Sequence, residues 1–151
     1  MPQQTTQIHT AAFGDLTART FHDLLKLRID VFVVEQDCPY PELDGRDVEP
    51  GTRHLWLTDG DAPLAYLRIL ADPDGTARIG RVVVAPAARG GGHAGRLMTA
   101  ALEVVGNQPC VLEAQSHLVG FYGRHGFAVS GPEYVEDGIP HTPMRRTAID
   151  G

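Results

Sequence analysis

An α/β (α+β) domain built on a central mixed, mostly antiparallel sheet of about six or seven strands flanked by helices is the fold class this sequence predicts. Two observations lead there. Three strand-like runs, His54 to Thr58, Leu64 to Leu70 and Ala77 to Val84, are parted only by the turn signals Asp59-Gly60 and Asp72-Pro73-Asp74-Gly75, as in an antiparallel meander. Beyond Val84 the pattern changes to a turn, Pro86 to Gly92, and then to a helix with the apolar stripe Leu97, Met98, Ala101, Leu102 and Val105. Gly106-Asn107 ends that helix, and a crossover to a parallel strand, Cys110 to Glu113, follows.

The other elements fit around this frame. A strand near Gln7 to Phe13 opens the chain. Phe21, Leu24, Leu25, Arg28 and Phe32 recur at helical spacing and predict a helix from about Thr17 to Val33, which Pro39 and Pro41 bring to an end. The segment Asp37 to Pro50, rich in Pro, Asp, Glu and Gly, reads as a surface loop of the kind that commonly carries binding residues. After the parallel strand a short helix is expected from Leu118 to His125, with Ser116 as a candidate N-cap and Gly126 as its stop. Strands near Phe127 to Ser130 and His141 to Ala148 complete the sheet.

With 151 residues, 42% of them hydrophobic, and no repeat or linker, the whole chain reads as one domain with a sizeable core. No stretch reaches the roughly 18 apolar residues of a membrane span. Met1 to Thr10 lacks the basic and apolar regions of a signal peptide, so a cytoplasmic protein is expected. Cys38 and Cys110 lie far apart and read as free thiols, and the histidines form no metal-binding pattern, so no metal is expected. A net charge of -6 opposes nucleic-acid binding, which needs clustered Lys and Arg, and suits a cationic or amine-bearing partner better.

The densest signal runs from Val82-Val83-Val84-Ala85-Pro86 through Arg89-Gly90-Gly91-Gly92-His93-Ala94-Gly95, a buried strand leading through a glycine-rich turn into a helix. Glycines let several backbone N–H groups converge, and at a helix N-terminus the unpaired N–H groups and the dipole make a site for a diphosphate. A plain flexible turn is the alternative for glycines alone; the strand, arginine and amphipathic helix around them favour the site. A P-loop is excluded because Arg96-Leu97 follows where Lys-Ser or Lys-Thr is needed. Gly90, Gly92 and Gly95 do meet GxGxxG, with Glu113 near the distance of a ribose-binding acid. Yet five residues separate Val84 from Gly90, and too little chain remains for a second mononucleotide half, so this stays a minor alternative.

Arg89, Gly92 and Ala94 satisfy Arg-x-x-Gly-x-Ala, preceded by Val84-Ala85-Pro86, and in this the chain resembles the GNAT superfamily of N-acetyltransferases. Phe121-Tyr122 with Gly126-Phe127 resembles the family's downstream Phe-Tyr-x-x-x-Gly-Phe block. Val31-Phe32-Val33-Val34-Glu35-Gln36, Cys38-Pro39-Tyr40, Asp44-Gly45, Arg53-His54 and Glu136-Asp137-Gly138-Ile139-Pro140-His141 make the likeness closer to the ElaA-type branch, from about residue 8 to 147. Many superfamily members carry Asn where Gln115 stands.

The resemblance implies a parallel strand pair splayed around acetyl-CoA and coenzyme A as product. The pantetheine arm is expected against the backbone of Val82, Val83 and Val84, and the diphosphate in the turn Arg89, Gly90, Gly91, Gly92, His93, Ala94 and Gly95, with Gln115 and Tyr122 also at the cofactor. Arg89 is the first choice for neutralising phosphate, with Arg96 and Arg124 behind it. The N–H of Val84 would face the developing oxyanion. Tyr122, which could otherwise merely pack, is expected to protonate the leaving thiolate. Glu113, Glu35 and His54 stay open as the base. Glu35, Asp44, Asp47, His54, Asp137 and His141 are expected to border the pocket of a small-molecule or peptide amine acceptor. A homodimer is left open, as is an acyl-CoA sensor without catalysis.

Overall fold

The computed structural model describes residues 6–39, 41–60 and 62–146. The strands are β1 (Gln7–Ala11), β2 (Arg53–Thr58), β3 (Pro63–Ala71), β4 (Ala77–Val84), β5 (Cys110–Gln115), β6 (Ala128–Val129), β7 (Tyr134–Glu136) and β8 (Ile139–Arg146). Three α-helices accompany them, α1 (Ala18–Ile29), α2 (His93–Val105) and α3 (Val119–Gly123). One eight-stranded sheet runs β1-β2-β3-β4-β5-β8-β6, with β7 paired to β8. β2, β3 and β4 form the expected antiparallel meander, β1 adds antiparallel to β2, and α2 carries the crossover to the parallel β5.

Several boundaries differ from the sequence expectation, for local reasons. The Thr17 hydroxyl caps α1 by accepting from the Thr20 N–H at 3.0 Å, but the helix ends at Ile29 and widens into a π-helical segment, Asp30–Glu35. Ser116 caps no helix; its hydroxyl is 2.8 Å from that of Thr142 on β8. The last strand begins at Ile139 rather than His141, and positions 147 and 148 of the expected strand lie outside the described residues. The extra strand, β7, arises because Asp137 (φ 52) and Gly138 (φ 77) make the two-residue turn with both φ positive that suits a tight hairpin onto β8.

Both faces of the sheet are covered, which explains why β2 and β3 are buried along most of their length. Leu55, Leu57, Leu67 and Ile69 face α2, whose Leu97, Met98, Ala101 and Val105 form the larger core with Leu112 and Met144. Trp56 and Tyr66 face the other way, against Leu24, Leu27 and Val31. Along β4 the alternation inverts: Ala77 and Ile79 pack on the larger core, whereas Val83, of the same parity, packs on the smaller one. The cause is a bulge. Tyr66 pairs with Val83 and Arg68 with Gly80, so β4 holds one more residue than β3 in this interval, and Arg81 there takes a positive φ of 54.

A buried charge network ties α1, the 37–50 loop, β3 and β4 together. Arg28 is fully buried; its Nη1 and Nη2 donate to the two oxygens of Asp47 at 3.0 and 3.2 Å, and its Nε donates to Glu42. Arg81 Nε donates to the same Glu42 carboxylate at 3.0 Å, and Arg68 Nη1 donates to Asp44 and Asp47 at 3.0 and 3.1 Å. His54 completes the cluster. Its Nε2 lies 3.0 Å from the Asp47 carbonyl, which can only accept, so Nε2 carries the proton and Nδ1 accepts from the Tyr66 hydroxyl at 2.7 Å.

Removing one partner of such a cluster leaves an uncompensated buried charge, so Arg28→Met should lower unfolding free energy by about 3–5 kcal/mol; urea titration measures it. Acid should weaken the fold in two stages. Burial lowers the His54 pKa, so the unfolded chain takes up a proton below pH ~6.5 while the native ring stays neutral, and stability falls with pH there. Burial opposes the Asp47 charge but Arg28 and Arg68, through hydrogen bonds and charge together, outweigh it, and hydrogen bonding to Arg68 holds Asp44 well below the carboxylate range. Both depressed carboxyls contribute stability that is present above ~3.9 and is lost as pH falls towards their native values. Thermal melts between pH 7 and 3 should show both declines.

Candidate active site

β4 and β5 pair at only two positions, Ala77 with Cys110 and Arg78 with Val111, and then separate. A cleft of about 990 Å³ occupies the gap, lined by Val82 to Val84 on one side and by Glu113 and Gln115 on the other, with Tyr122 among the remaining walls. The Ala85 N–H donates to the Leu64 carbonyl on β3 at 2.8 Å. Strand alternation therefore turns the N–H of Val84 the opposite way, into the gap.

At the end of β4 a 3₁₀ turn, Pro86–Ala88, leads to Arg89 and then to α2. Gly90 (φ 89) and Gly92 (φ 77) take left-handed conformations that cost a residue with a Cβ roughly 1–2 kcal/mol. Gly92 is the N-cap and no side chain caps it, so the first N–H groups of α2 are free of intrahelical partners. They border a recess of about 150 Å³ formed by Gly90, Gly92, Ala94, Gly95 and Phe121. His93 folds back over Gly91, where an added Cβ would stand 2.9 Å from its Nε2, and its Nδ1 is buried with no hydrogen-bond partner among the described residues. Donors without acceptors, grouped at a helix start, fit a diphosphate.

Arg89 is held by a carboxylate. Its guanidinium forks onto Glu35 at 2.8 and 2.5 Å, joining the glycine turn to the π-helical segment at the cleft, and this hydrogen bonding lowers the Glu35 pKa. Arg124 lies over the Phe121 ring at 5.9 Å, and Arg96 is exposed on the first turn of α2. Tyr122 on α3 is 6% exposed, and its hydroxyl bonds to no described residue. Burial pushes its pKa up to about 12. Glu113 faces Arg78 at 3.6 Å and the Tyr134 hydroxyl, and the Gln115 side chain reaches Gln36 at 3.5 Å.

Glu35, Asp44, Asp137 and His141 all line the cleft. Asp47 and His54 do not. Both are buried inside the charge network, where Arg28, Arg68 and Tyr66 satisfy them, so an acceptor-binding place for either, or a base at His54, is corrected by their burial. Sequence reasoning missed Arg68 and Cys38 at the cleft wall and Tyr134 behind it, where it stacks on His141. Arg68, set between the buried Leu67 and Ile69 of a strand, is the signal that could have exposed the network. Among the described residues no group of His, Cys, Asp and Glu is placed to hold a metal, and no helix is long and apolar enough to cross a membrane.

Comparison with known proteins agrees with this geometry. A model of the acetyltransferase (GNAT) domain matches residues 26–148. A UPF0039 protein of Mycobacterium tuberculosis is 51% identical over 136 residues, 87% of each chain. ElaA of Escherichia coli is 41% identical over 142 residues, 90% of this chain and 93% of ElaA. Its crystal structure has a TM-score of 0.90, over 94% of this chain and 99% of that one, at 38% identity. An acyl-CoA N-acyltransferase from Pseudomonas aeruginosa has a TM-score of 0.90 at 44% identity, over 95% of this chain and 100% of its own. The splayed pair β4–β5 and the glycine turn are thus those of an acyl-CoA N-acyltransferase fold, and the chain belongs to the GNAT family of acetyltransferases, with ElaA among its close relatives.

Proposed function

We propose that the protein is a single-domain, cytoplasmic N-acetyltransferase that moves the acetyl group of acetyl-CoA directly to a primary amine. The observation that carries this reading is the gap between β4 and β5, with the glycine turn at one end and the unpartnered Tyr122 hydroxyl in its wall. Acetyl-CoA supplies the thioester whose carbonyl carbon the amine attacks.

Val82 and Val84 offer the open edge of β4 to the pantetheine arm, which recognises main chain as an added strand would. Gly90 to Gly95 hold the diphosphate with backbone N–H groups, aided by Arg89, and Gln115 borders the arm from β5. The Val84 N–H stabilises the oxyanion because it already points into the gap and needs no reorganisation. Tyr122 stays protonated through neutral pH and donates to the leaving sulfur. Glu35, Glu113 and Asp44 face arginines, and Asp137 with Glu136 leaves the acceptor end a small excess of carboxylate that favours an ammonium. Phosphate competes with Glu35 for Arg89, so binding the donor releases a carboxylate for the acceptor.

Mixing the protein with acetyl-CoA and a panel of amines should release free thiol; a panel that stays at background while coenzyme A binds would leave only a sensor. Tyr122→Phe should lower kcat by about 10²-fold or more and change coenzyme A affinity less than about twofold, read by thiol release and calorimetry. Equal turnover in both proteins would remove Tyr122 from the chemistry. Glu35→Gln should raise the acceptor KM yet tighten coenzyme A binding by roughly two- to fivefold, because it removes the competitor for Arg89. Weaker coenzyme A binding in that variant would refute the competition.

A further inference from the structure

We infer that His141 is the general base of the transfer proposed above, on which this inference rests, and that its Nε2 takes the proton the acceptor ammonium must lose. The ring is fixed on both counts that matter for a base, tautomer and orientation. Its Nδ1 lies 2.8 Å from the Ile139 carbonyl, which can only accept, so Nδ1 holds the proton of the neutral ring and the lone pair sits on Nε2. Tyr134 stacks on the ring with centroids 5.7 Å apart and planes 21° from parallel. Nε2 bonds to no described residue and is not a buried orphan, so that atom is open to solvent, and the residue lines the cleft.

Position agrees with this. Gln115 on β5 and Tyr134 on β7 are the register partners of His141 on β8, and cross-strand partners share a face. The same cleft contains Tyr122, so acid and base stand on walls of one cavity.

The other titratable groups at the cleft are less suited. Glu35 is forked by Arg89 and Asp44 by Arg68, and both carboxyls are held below their usual range by those hydrogen bonds. Glu113 faces Arg78 and the Tyr134 hydroxyl. Glu136, Asp137 and His117 are exposed to solvent, without a second group to orient them, and His54 is sealed in the charge network. Of these cleft groups, His141 joins a fixed tautomer to a ring nitrogen that no described residue occupies.

The proton count closes. The acceptor R–NH₃⁺ gives one proton to Nε2, directly or through one water, and R–NH₂ forms the C–N bond at the thioester carbonyl carbon. The nitrogen sheds its second proton to solvent as the C–S bond breaks, and the thiolate takes the Tyr122 proton. Tyr122 and His141 then re-equilibrate with solvent, so each acetyl transferred releases one net proton.

The test compares His141→Gln and His141→Asn with wild type on two acceptors, a primary alkylamine that is protonated at pH 7 and hydroxylamine, which is neutral there. Transfer to the alkylamine should fall by about 10²-fold or more, and transfer to hydroxylamine should fall at least tenfold less, with coenzyme A affinity by calorimetry unchanged. Equal losses on both acceptors would make His141 structural, and no loss on the alkylamine would exclude it as base; either result overturns the inference. Wild-type protein that binds coenzyme A but acetylates neither acceptor overturns the transferase reading itself, and is recognised before any variant is made.

Discussion

The Glu42 carboxylate, shared between Arg28 of α1 and Arg81 of β4, is the contact on which the site geometry depends. Arg81 occupies the bulge, and a non-glycine residue with φ of 54 persists only where surrounding contacts hold it. Because the bulge adds one residue, it reverses which side chains of β4 face which core. Val83 goes to the smaller core, and the alternation beyond it directs the Val84 N–H into the gap. The loop 37–50 thus acts at a distance, through carboxylates seated on buried arginines, on a backbone donor it does not touch.

The two ends of the cleft are built on different principles. At the glycine turn the groups on offer are main-chain N–H donors, and side chains matter chiefly by their absence, at Gly90 and Gly92. At the other end the groups are side chains from three separate elements: Glu35 on the π-helical segment, Glu113 and Gln115 on β5, His141 on β8. Arg89 joins the two, since the arginine beside the turn is also the partner of Glu35.

Much of this was legible in the sequence where the signal is local. Asp59-Gly60 and Asp72-Pro73-Asp74-Gly75 separate strands that do pair as a meander, and the glycines after Arg89 do end at a helix start. The bulge has one faint local mark, Gly80 inside a strand, but its support comes from Glu42, 39 residues from Arg81 in sequence. β7 is only three residues long, too short for periodicity, although Asp137-Gly138 is itself a hairpin signal. Asp47 and His54 look like surface polar residues in sequence, and only the burial of Arg28 and Arg68 beside them decides otherwise. Arg28 had already fallen on the apolar stripe of its helix, which was the clue to a buried cation.

Two rungs of parallel pairing are all that the sheet provides between its halves, β1 to β4 on one side and β5 to β8 on the other, apart from the crossover helix and the cores beneath. That seam is thinly braced by backbone pairing. A ligand whose amide groups bridge it would splice two half-sheets into one, so the occupant becomes a structural member and the occupied form should be the stiffer one.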